Sequence, residues 1–275
     1  MPMNEIPLFE NPDFQSFKIK YLKSLFLNAS SSQLKGIKRP NYLAKKECPE
    51  NIHKTCPDAK LIAVLRNPVD RALSAYYHSI LYGFSPAIHH ESGLRKIING
   101  EWNSQYKRTH EIIEFGFYYK QLRRFLDFFP EDHIKILLQE DLIKNKRESL
   151  KDIFTFLNID PDFVPYKNIN KRPQAVIYSI PRLKLLGLKN KCIFKYNKDR
   201  TRLTVKKNLP FKDRAYCKVI DSIDRYIYQK ISDSRKAEYS KELKHQIYDI
   251  YKEDIEALER LINRDLSAWK IINDD

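Results

Sequence analysis

The stretch Lys60–His78 constrains the fold more than any other part of the sequence, because it combines the patterns of a strand, a turn and a helix. Its apolar run L-I-A-V-L, residues 61–65, is typical of a strand buried on both faces. Pro68 cannot donate to a strand ladder but suits the first turn of a helix. Apolar residues then recur at three- and four-residue spacing, which predicts a helix with one packed face. Arg66 therefore lies at the carboxyl end of a buried strand, where open α/β sheets bind ligands.

The rest of the sequence continues this alternation of strands and helices. The run I-K-I-L-L at Ile134–Leu138 predicts a second buried strand. Apolar spacing predicts helices over 103–129, 145–157 and 237–264. Strands that alternate with helices through short connections indicate a parallel sheet with flanking helices, so the predicted fold class is α/β. No internal repeat or linker divides the chain, and residues 1–275 are interpreted as one domain.

The charge of the chain narrows the choice of partners. Fifty Lys and Arg residues against 35 Asp and Glu residues give a formal net charge of +15. Such a charge favours polyanions: a nucleotide, an anionic glycan, nucleic acid or an anionic membrane surface. Thirteen of the basic residues fall within 182–218, which we interpret as a basic insertion or a set of acceptor-side loops. The motifs of common nucleic-acid-binding folds are absent, so no sequence-specific nucleic-acid partner is expected. A solvated basic surface would give the same charge.

Several classes are disfavoured by what the sequence lacks. No run approaches the roughly 18 apolar residues of a membrane span, and no basic and apolar leader is visible at the N-terminus, so a cytoplasmic location is expected. The four cysteines have neither C-x-x-C nor zinc-ligand spacing. Cys48 and Cys56 could form a disulfide in an oxidising compartment, although free thiols are the favoured interpretation. His89 and His90 are adjacent and do not share one face of a helix or strand, so no metal site is predicted.

A resemblance to a known family begins at Arg66. The string R-N-P-V-D-R-A-L-S-A-Y-Y-H resembles the strand–turn–helix with which sulfotransferases bind the 3′-phosphate of 3′-phosphoadenosine 5′-phosphosulfate (PAPS). The resemblance is to the carbohydrate branch, with its heparan-sulfate enzymes and their bacterial relatives. It implies that Arg66 and Ser74 bind the 3′-phosphate. It also implies the P-loop-NTPase-like form of the α/β fold, PAPS as the sulfuryl donor and no metal requirement.

Two segments that precede the strand also resemble this family. The run E-I-P-L-F-E resembles the family's E-x-H-F-F-D, which implies that Glu5 is the general base. Pro7 stands where the family has His, and Glu10 stands where the family has Asp. The run G-I-K-R-P-N-Y-L resembles G-x-K-x-P-x-Y-[LF], in which the lysine lies near the transferring sulfuryl group. The catalytic residues that the resemblance implies are therefore Glu5 and Lys38.

Segments after the strand extend the resemblance nearly to the end of the chain. The sequences at 116–126 and 140–142 resemble the family's G-x-Y-x-x-x-L-x-x-[FW]-L helix and its E-D-L. Residues 251–269 resemble the closing Y-x-x-D-I-x-x-L-x-x-L-x-x-x-D-L-x-x-W, which is a packing motif. In relatives, a basic loop closes over the nucleotide. This loop follows the family's F-L-x-[IL] helix, which precedes the closing motif in the chain. This makes Lys171 and Arg172 further candidate cofactor-binding residues.

One element of the family has no counterpart in the sequence. The family's first strand leads into a phosphosulfate loop, G-x-x-x-G-T-[ST], whose backbone amides hold the 5′-phosphosulfate. The first glycine here is Gly36, so the fold is expected to lack its first strand and phosphate loop. A start codon assigned too far downstream, an inactive homologue or removal of N-terminal residues would each explain this, and the first is preferred. The chain is then expected to be weak or inactive alone.

These observations leave two functions. The first is PAPS-dependent transfer of a sulfuryl group to a hydroxyl, that of a carbohydrate or a similar acceptor. The alternative is a non-enzymatic polyanion-binding protein of the same fold, which would bind glycan or nucleic acid through 182–218. A P-loop kinase is disfavoured because the sequence has no G-x-x-x-x-G-K-[ST].

Overall fold

The structure is a computed structural model, and it describes residues 7–11, 14, 16–163, 176–231 and 237–270. The chain divides into two compact units. The first unit comprises residues 1–66, 117–164 and 254–266, and the second comprises residues 67–116, 165–253 and 267–275. The interpretation of residues 1–275 as one domain stays a prediction.

The secondary structure is mostly helical. In chain order the α-helices of the described residues are α1 (Ser16–Ser24), α2 (Cys48–Thr55), α3 (Pro68–Leu81), α4 (His90–Ile98), α5 (Glu111–Glu114), α6 (Tyr118–Leu126), α7 (Gln139–Lys144), α8 (Lys146–Phe156), α9 (Ile180–Ile193), α10 (Phe211–Ile223), α11 (Gln229–Ile231) and α12 (Lys241–Ile262). The strands are β1 (Leu61–Leu65), β2 (Ile134–Leu138), β3 (Phe194–Tyr196) and β4 (Leu203–Val205). A π-helical turn, Asp224–Tyr228, connects α10 to α11. Of these helices, none has both the length and the apolar character that a bilayer crossing requires.

A parallel pair of strands lies in the first unit. β1 and β2 pair over their full length, from Leu61 opposite Ile134 to Leu65 opposite Leu138. Both strands have the predicted bounds. The expectation that β1 is buried on both faces is wrong. Leu65 is buried, but Ile62 is 40% exposed and Val64 is 53% exposed. Successive side chains of a strand point to opposite faces, and the described residues of this unit leave these two side chains largely uncovered.

The core of the first unit brings the N-terminal segment onto α2 and α6. Its buried cluster consists of Leu8, Phe9, Cys48, Ile52, Phe125 and Phe129. Asn51 holds the same segment, because its side-chain amide donates a hydrogen bond to the Phe9 carbonyl oxygen at 3.0 Å. The apolar spacing of α6 corresponds to one packed face, since Tyr118, Leu122 and Phe125 are all buried.

The helix predicted over 103–129 is wrong in its extent. The structure has turns over 103–110, then the short α5, and then α6 after a break at Gly116. The break has a packing reason in the second unit: a Cβ atom added at Gly116 would lie 2.6 Å from the ring of Tyr251. The Tyr251 hydroxyl also donates a hydrogen bond to the Ile113 carbonyl oxygen at 2.7 Å. The aromatic ring therefore occupies the space that a side chain would need there.

The helix predicted after Pro68 is confirmed as α3 of the second unit. The Asn67 side chain accepts a hydrogen bond from the Val69 backbone N–H at 2.9 Å, and Pro68 occupies the first helical position. This is the expected chemistry of a helix start, because the cap satisfies one of the unpaired N–H groups and Pro has none to satisfy. The helix ends before Gly83, whose φ of +71° favours glycine.

Residues 182–218, which we interpret as a basic insertion or a set of acceptor-side loops, contain regular secondary structure, and their role stays a prediction. The region contains most of α9, the antiparallel hairpin of β3 and β4, and the first part of α10. Leu183, Cys217 and Ile220 are buried, whereas most of the basic residues are exposed. Many lysines on the outer faces dilute the apolar periodicity, so the sequence pattern does not predict these two helices.

The last predicted helix is confirmed as α12, although it is shorter than 237–264. It begins at Lys241 because the Ser240 hydroxyl accepts a hydrogen bond from the Leu243 backbone N–H at 3.3 Å and so caps it. It ends before Asn263, whose φ of +48° is the left-handed conformation common at helix ends. Leu243, Ile247, Ile255 and Leu258 form the buried face of this helix.

Candidate functional site

Arg66 directly follows β1 in the first unit, as predicted. Because β1 pairs in parallel with β2, Arg66 lies at the carboxyl end of the strand pair. Its neighbour Leu65 is buried, and Arg66 itself is half-buried. A guanidinium presents its N–H donors in a planar fork that matches the oxygens of a phosphate. Position and chemistry together make Arg66 a candidate phosphate-binding residue.

Ser74 lies on α3 in the second unit, two helical turns after the cap. Its side chain is only 5% exposed. The hydroxyl lies 3.2 Å from the Asp70 carbonyl oxygen, to which it donates, and 3.2 Å from the phenol oxygen of Tyr178. A hydroxyl carries one proton. Since Ser74 donates to Asp70, Tyr178 donates to Ser74.

Tyr178 is a polar residue at this site that the sequence analysis missed. It lies just before α9, and 104 residues separate it from Ser74. Its ring also packs edge-on against the ring of Tyr77 on α3, with centroids 5.0 Å apart. No local pattern marks Tyr178, because its role depends on a contact between distant parts of the second unit.

A buried histidine continues this network within the second unit. His90 Nε2 lies 2.8 Å from the Glu238 carbonyl oxygen and His90 Nδ1 lies 2.9 Å from the Tyr77 hydroxyl. A carbonyl oxygen only accepts, so Nε2 donates and Nδ1 accepts from Tyr77. Burial lowers the pKa of His90 and raises the pKa of Tyr77 to about 12, which keeps both groups neutral. The network therefore holds the ring of Tyr77 against Tyr178.

An ion pair joins the two N-terminal segments that resemble the family. Glu10 is buried, and its carboxylate accepts from Arg39 Nε at 2.5 Å and from Arg39 Nη2 at 3.2 Å. Lys38 immediately precedes Arg39 and is exposed. The pair lies in the first unit and fixes the backbone beside Lys38. In the sequence, Glu10 is recognisable only as a replacement for the family's Asp, and no local pattern predicts its contact with Arg39.

Three of the predicted site residues, Glu5, Lys171 and Arg172, lie outside the described residues. Arg66 and Lys38 belong to the first unit, and Ser74 belongs to the second. The assignments of all six residues stay predictions.

Other features of the described residues differ from this arrangement. Within the described ranges, no group of three or more His, Cys, Asp or Glu side chains is placed to hold a metal ion, and all four cysteines are free. A cavity of about 230 Å³ lies in the first unit between α6, β2 and the end of α12. Its lining is mainly leucine and isoleucine, and it contains no predicted site residue. Ligand sites for drug-sized molecules usually exceed about 300 Å³, and this cavity is smaller.

Comparison with known proteins identifies the family. The family described as "Sulfotransferase domain" matches residues 43–259 of this chain. The match covers most of the chain and includes Arg66 and Ser74. This protein therefore belongs to the sulfotransferase family.

Individual relatives agree with this assignment at low identity. The chain is 28% identical over 146 residues to human heparan sulfate glucosamine 3-O-sulfotransferase 6, an alignment that covers 51% of this chain and 40% of that protein. It is 25% identical over 162 residues to mouse heparan sulfate glucosamine 3-O-sulfotransferase 5, covering 59% of this chain and 46% of that protein. The matched part of this chain thus spans less than half the length of these curated relatives.

A solved structure shows the fold. The crystal structure of a sulfotransferase from Alicyclobacillus acidocaldarius superposes with a TM-score of 0.63 at 21% identity, covering 98% of this chain and 86% of that chain. The predicted α/β fold of the sulfotransferases is confirmed at this level. The absence of a first strand and phosphate loop stays a prediction, and the alternative of a non-enzymatic polyanion-binding protein finds no support in the comparisons.

Proposed function

We propose that this protein is a PAPS-dependent sulfotransferase that acts on a hydroxyl of a carbohydrate or a similar acceptor. The observation that carries the proposal is the position of Arg66 at the carboxyl end of a parallel strand pair, directly before the capped helix that bears the buried Ser74. The family match includes both residues.

The donors on these residues fit the 3′-phosphate of PAPS. Phosphate oxygens accept hydrogen bonds, and Arg66 supplies charged N–H donors in a planar fork. The Ser74 hydroxyl can rotate about a single bond from the Asp70 carbonyl oxygen to a phosphate oxygen. Charge-assisted hydrogen bonds are the stronger kind, so Arg66 is expected to supply most of the affinity and Ser74 to fix the orientation.

The chemical step would use residues from the N-terminal segments. PAPS supplies the sulfuryl group and a phosphate leaving group. Glu5 would accept the proton of the acceptor hydroxyl, and Lys38 would stabilise negative charge on the sulfuryl oxygens. Both roles rest on the family resemblance, and the ion pair between Arg39 and Glu10 supports the place of Lys38 by fixing the adjacent backbone.

The acceptor class is proposed from the relatives and from charge. Two of the relatives are named as heparan sulfate glucosamine 3-O-sulfotransferases. The net charge of +15 favours an anionic glycan over a neutral small alcohol.

Nucleotide binding tests the proposal without depending on turnover. Isothermal titration calorimetry would compare 3′-phosphoadenosine 5′-phosphate (PAP) with adenosine 5′-monophosphate (AMP), which lacks the 3′-phosphate. We expect PAP to bind at least about tenfold more tightly, because a hydrogen bond to a charged group contributes about 1.5–3 kcal/mol. Arg66→Ala should lower the PAP affinity to that of AMP. Arg147→Ala, an exposed arginine of α8 in the same unit, is the matched control and should change nothing.

Two results would contradict the proposal. Equal affinity of the native chain for PAP and AMP would exclude a 3′-phosphate site at Arg66. If PAP binds as expected, transfer of radiolabelled sulfate from PAPS is then measured with desulfated heparan sulfate and with a simple phenol. Faster labelling of the phenol would contradict the carbohydrate acceptor while leaving the nucleotide site in place.

A further inference from the structure

Exposed apolar side chains concentrate on one segment of the second unit. Large hydrophobic side chains are usually buried, yet Phe211 is 80% exposed and Tyr226 is 62% exposed. Seven such side chains lie between 205 and 231: Val205, Phe211, Tyr216, Val219, Tyr226, Ile227 and Ile231. Scattered single residues of this kind need no explanation, but their concentration within one short segment indicates a candidate binding surface.

The packing of α10 explains why these side chains face outward. The buried side of this segment contains Cys217, Ile220 and Asp224, at the three- and four-residue spacing of one helix face. The Asp224 carboxylate accepts from Arg182 of α9 at 2.6 and 2.9 Å, which fixes that side inward. Val219 and Tyr226 are therefore held on the side away from α9.

The same segment carries a basic rim. Between 211 and 231, five exposed residues are basic: Lys212, Arg214, Lys218, Arg225 and Lys230. Of its three acids, Asp224 is bound by Arg182 and Asp221 is bound by Lys189 at 2.6 Å. These contacts neutralise the two acids and leave the rim positive. We call the seven apolar residues and these five basic residues the α10 surface.

We propose that the α10 surface binds the headgroup region of an anionic lipid bilayer. Helices that lie in the membrane interface combine an apolar, aromatic-rich side with lysine and arginine at its edges. The basic rim supplies the charge that anionic lipids attract, and exposed Phe211 and Tyr226 supply side chains suited to the interfacial layer. The surface attaches the protein from one side and inserts only side chains.

Two other occupants fit the surface less well. A second copy of this chain in a twofold contact would bring the same basic rim against itself, and like charges would then face each other. A sulfated glycan would match the rim but would leave the aliphatic side chains Val219, Ile227 and Ile231 exposed to water. An anionic bilayer complements both the charge and the apolar side chains.

Vesicle sedimentation tests the proposal on the full chain. The native protein should sediment with phosphatidylcholine vesicles that contain phosphatidylglycerol and remain in solution with phosphatidylcholine alone. Val219→Glu should reduce binding to the anionic vesicles about tenfold, because it places a carboxylate in the inserted side. Ile143→Glu is the matched control: Ile143 is 73% exposed, lies on α7 outside the surface, and the substitution changes the net charge equally.

Insertion is measured separately from adsorption. Tyr226→Trp should be quenched by lipids with brominated acyl chains, whereas Tyr21→Trp on α1, also exposed, should not be quenched. The proposal is overturned if Val219→Glu and Ile143→Glu bind equally, since net charge alone would then explain binding. It is also overturned if both tryptophans are quenched alike, or if Val219→Glu dissociates a dimer that binds no vesicles.

Discussion

The phenol oxygen of Tyr178 lies 3.2 Å from the hydroxyl oxygen of Ser74, across a separation of 104 residues. Ser74 is the residue that the family resemblance assigns to the 3′-phosphate, and Tyr178 donates to it. A phosphate that reaches Ser74 would therefore meet two hydroxyl groups. Tyr178 also contacts Tyr77 through its ring, so its orientation is fixed before any ligand arrives.

Removal of the Tyr178 hydroxyl should weaken PAP binding. Tyr178→Phe keeps the ring contact with Tyr77 and deletes only the donor, so we expect the PAP affinity to fall about fivefold, the value of one hydrogen bond of about 1 kcal/mol. Titration calorimetry measures this, with Tyr21→Phe as the control. Ser74→Ala combined with Tyr178→Phe should cost less than the sum of the two, because the groups share a partner. If the two losses of binding free energy simply add in the double variant, Ser74 and Tyr178 act independently.

A buried carboxylate should stabilise the start of α6. Asp254 accepts hydrogen bonds from the backbone N–H groups of Tyr119 at 2.9 Å and Lys120 at 3.2 Å, all within the first unit. Asp254→Ala leaves both N–H groups without this acceptor, so the free energy of unfolding should fall by about 2–3 kcal/mol. Urea denaturation measures the loss. Asp249→Ala, an exposed residue of the same helix, should change it by less than about 0.5 kcal/mol.

The same carboxylate should make stability depend on pH. Burial raises the pKa of Asp254 above its ordinary value, so the folded state holds this proton more tightly than the unfolded state. Its contribution to the free energy of unfolding is therefore largest below the unfolded pKa of about 3.9 and is lost as pH rises through the folded pKa. Asp254→Asn has no proton to lose. The difference in unfolding free energy, native minus variant, should fall as pH rises above about 4, and a difference that grows would reverse the sign we assign.

Two helical glycines should respond in opposite ways to alanine. A Cβ atom at Gly93 of α4 would lie 2.0 Å from the hydroxyl oxygen of buried Tyr76, whereas a Cβ atom at Gly187 of α9 would meet nothing within 4 Å. Gly93→Ala should lower the midpoint of thermal unfolding through overpacking of about 1–3 kcal/mol. Gly187→Ala should raise the midpoint, because alanine stabilises a helix interior by up to about 1 kcal/mol relative to glycine. Equal shifts would mean that Tyr76 can move away.

Local patterns predicted the parts of this fold that depend on neighbouring residues. The bounds of β1 and β2 and the start of α3 follow from short apolar runs and from Asn67 and Pro68, all of which act within a few residues. The helices within 182–218 were missed because lysines cover their outer faces. The exposure of Ile62 and Val64 was missed because burial depends on what covers a strand, and a strand's own composition does not record that.

The residues of the candidate site also include some that local sequence patterns indicate and others that they do not. Arg66 and Ser74 are candidates because the continuous strand, turn and helix between them carries the family resemblance, and their roles stay predictions. The contacts of Tyr178 with Ser74 and of Arg39 with Glu10 could not be predicted, since each joins segments that only the folded chain brings together. The order of residues in the sequence does not give the distance in space between such segments.

The ion pair of Glu10 and Arg39 has a consequence for how these positions can evolve. A buried carboxylate that loses its guanidinium partner leaves a charge that costs several kcal/mol to keep out of water, and Glu10 is buried. A change at one position is therefore tolerated only together with a change at the other. Among descendants of this sequence, positions 10 and 39 should covary, either retained as acid and arginine or replaced together by an apolar pair.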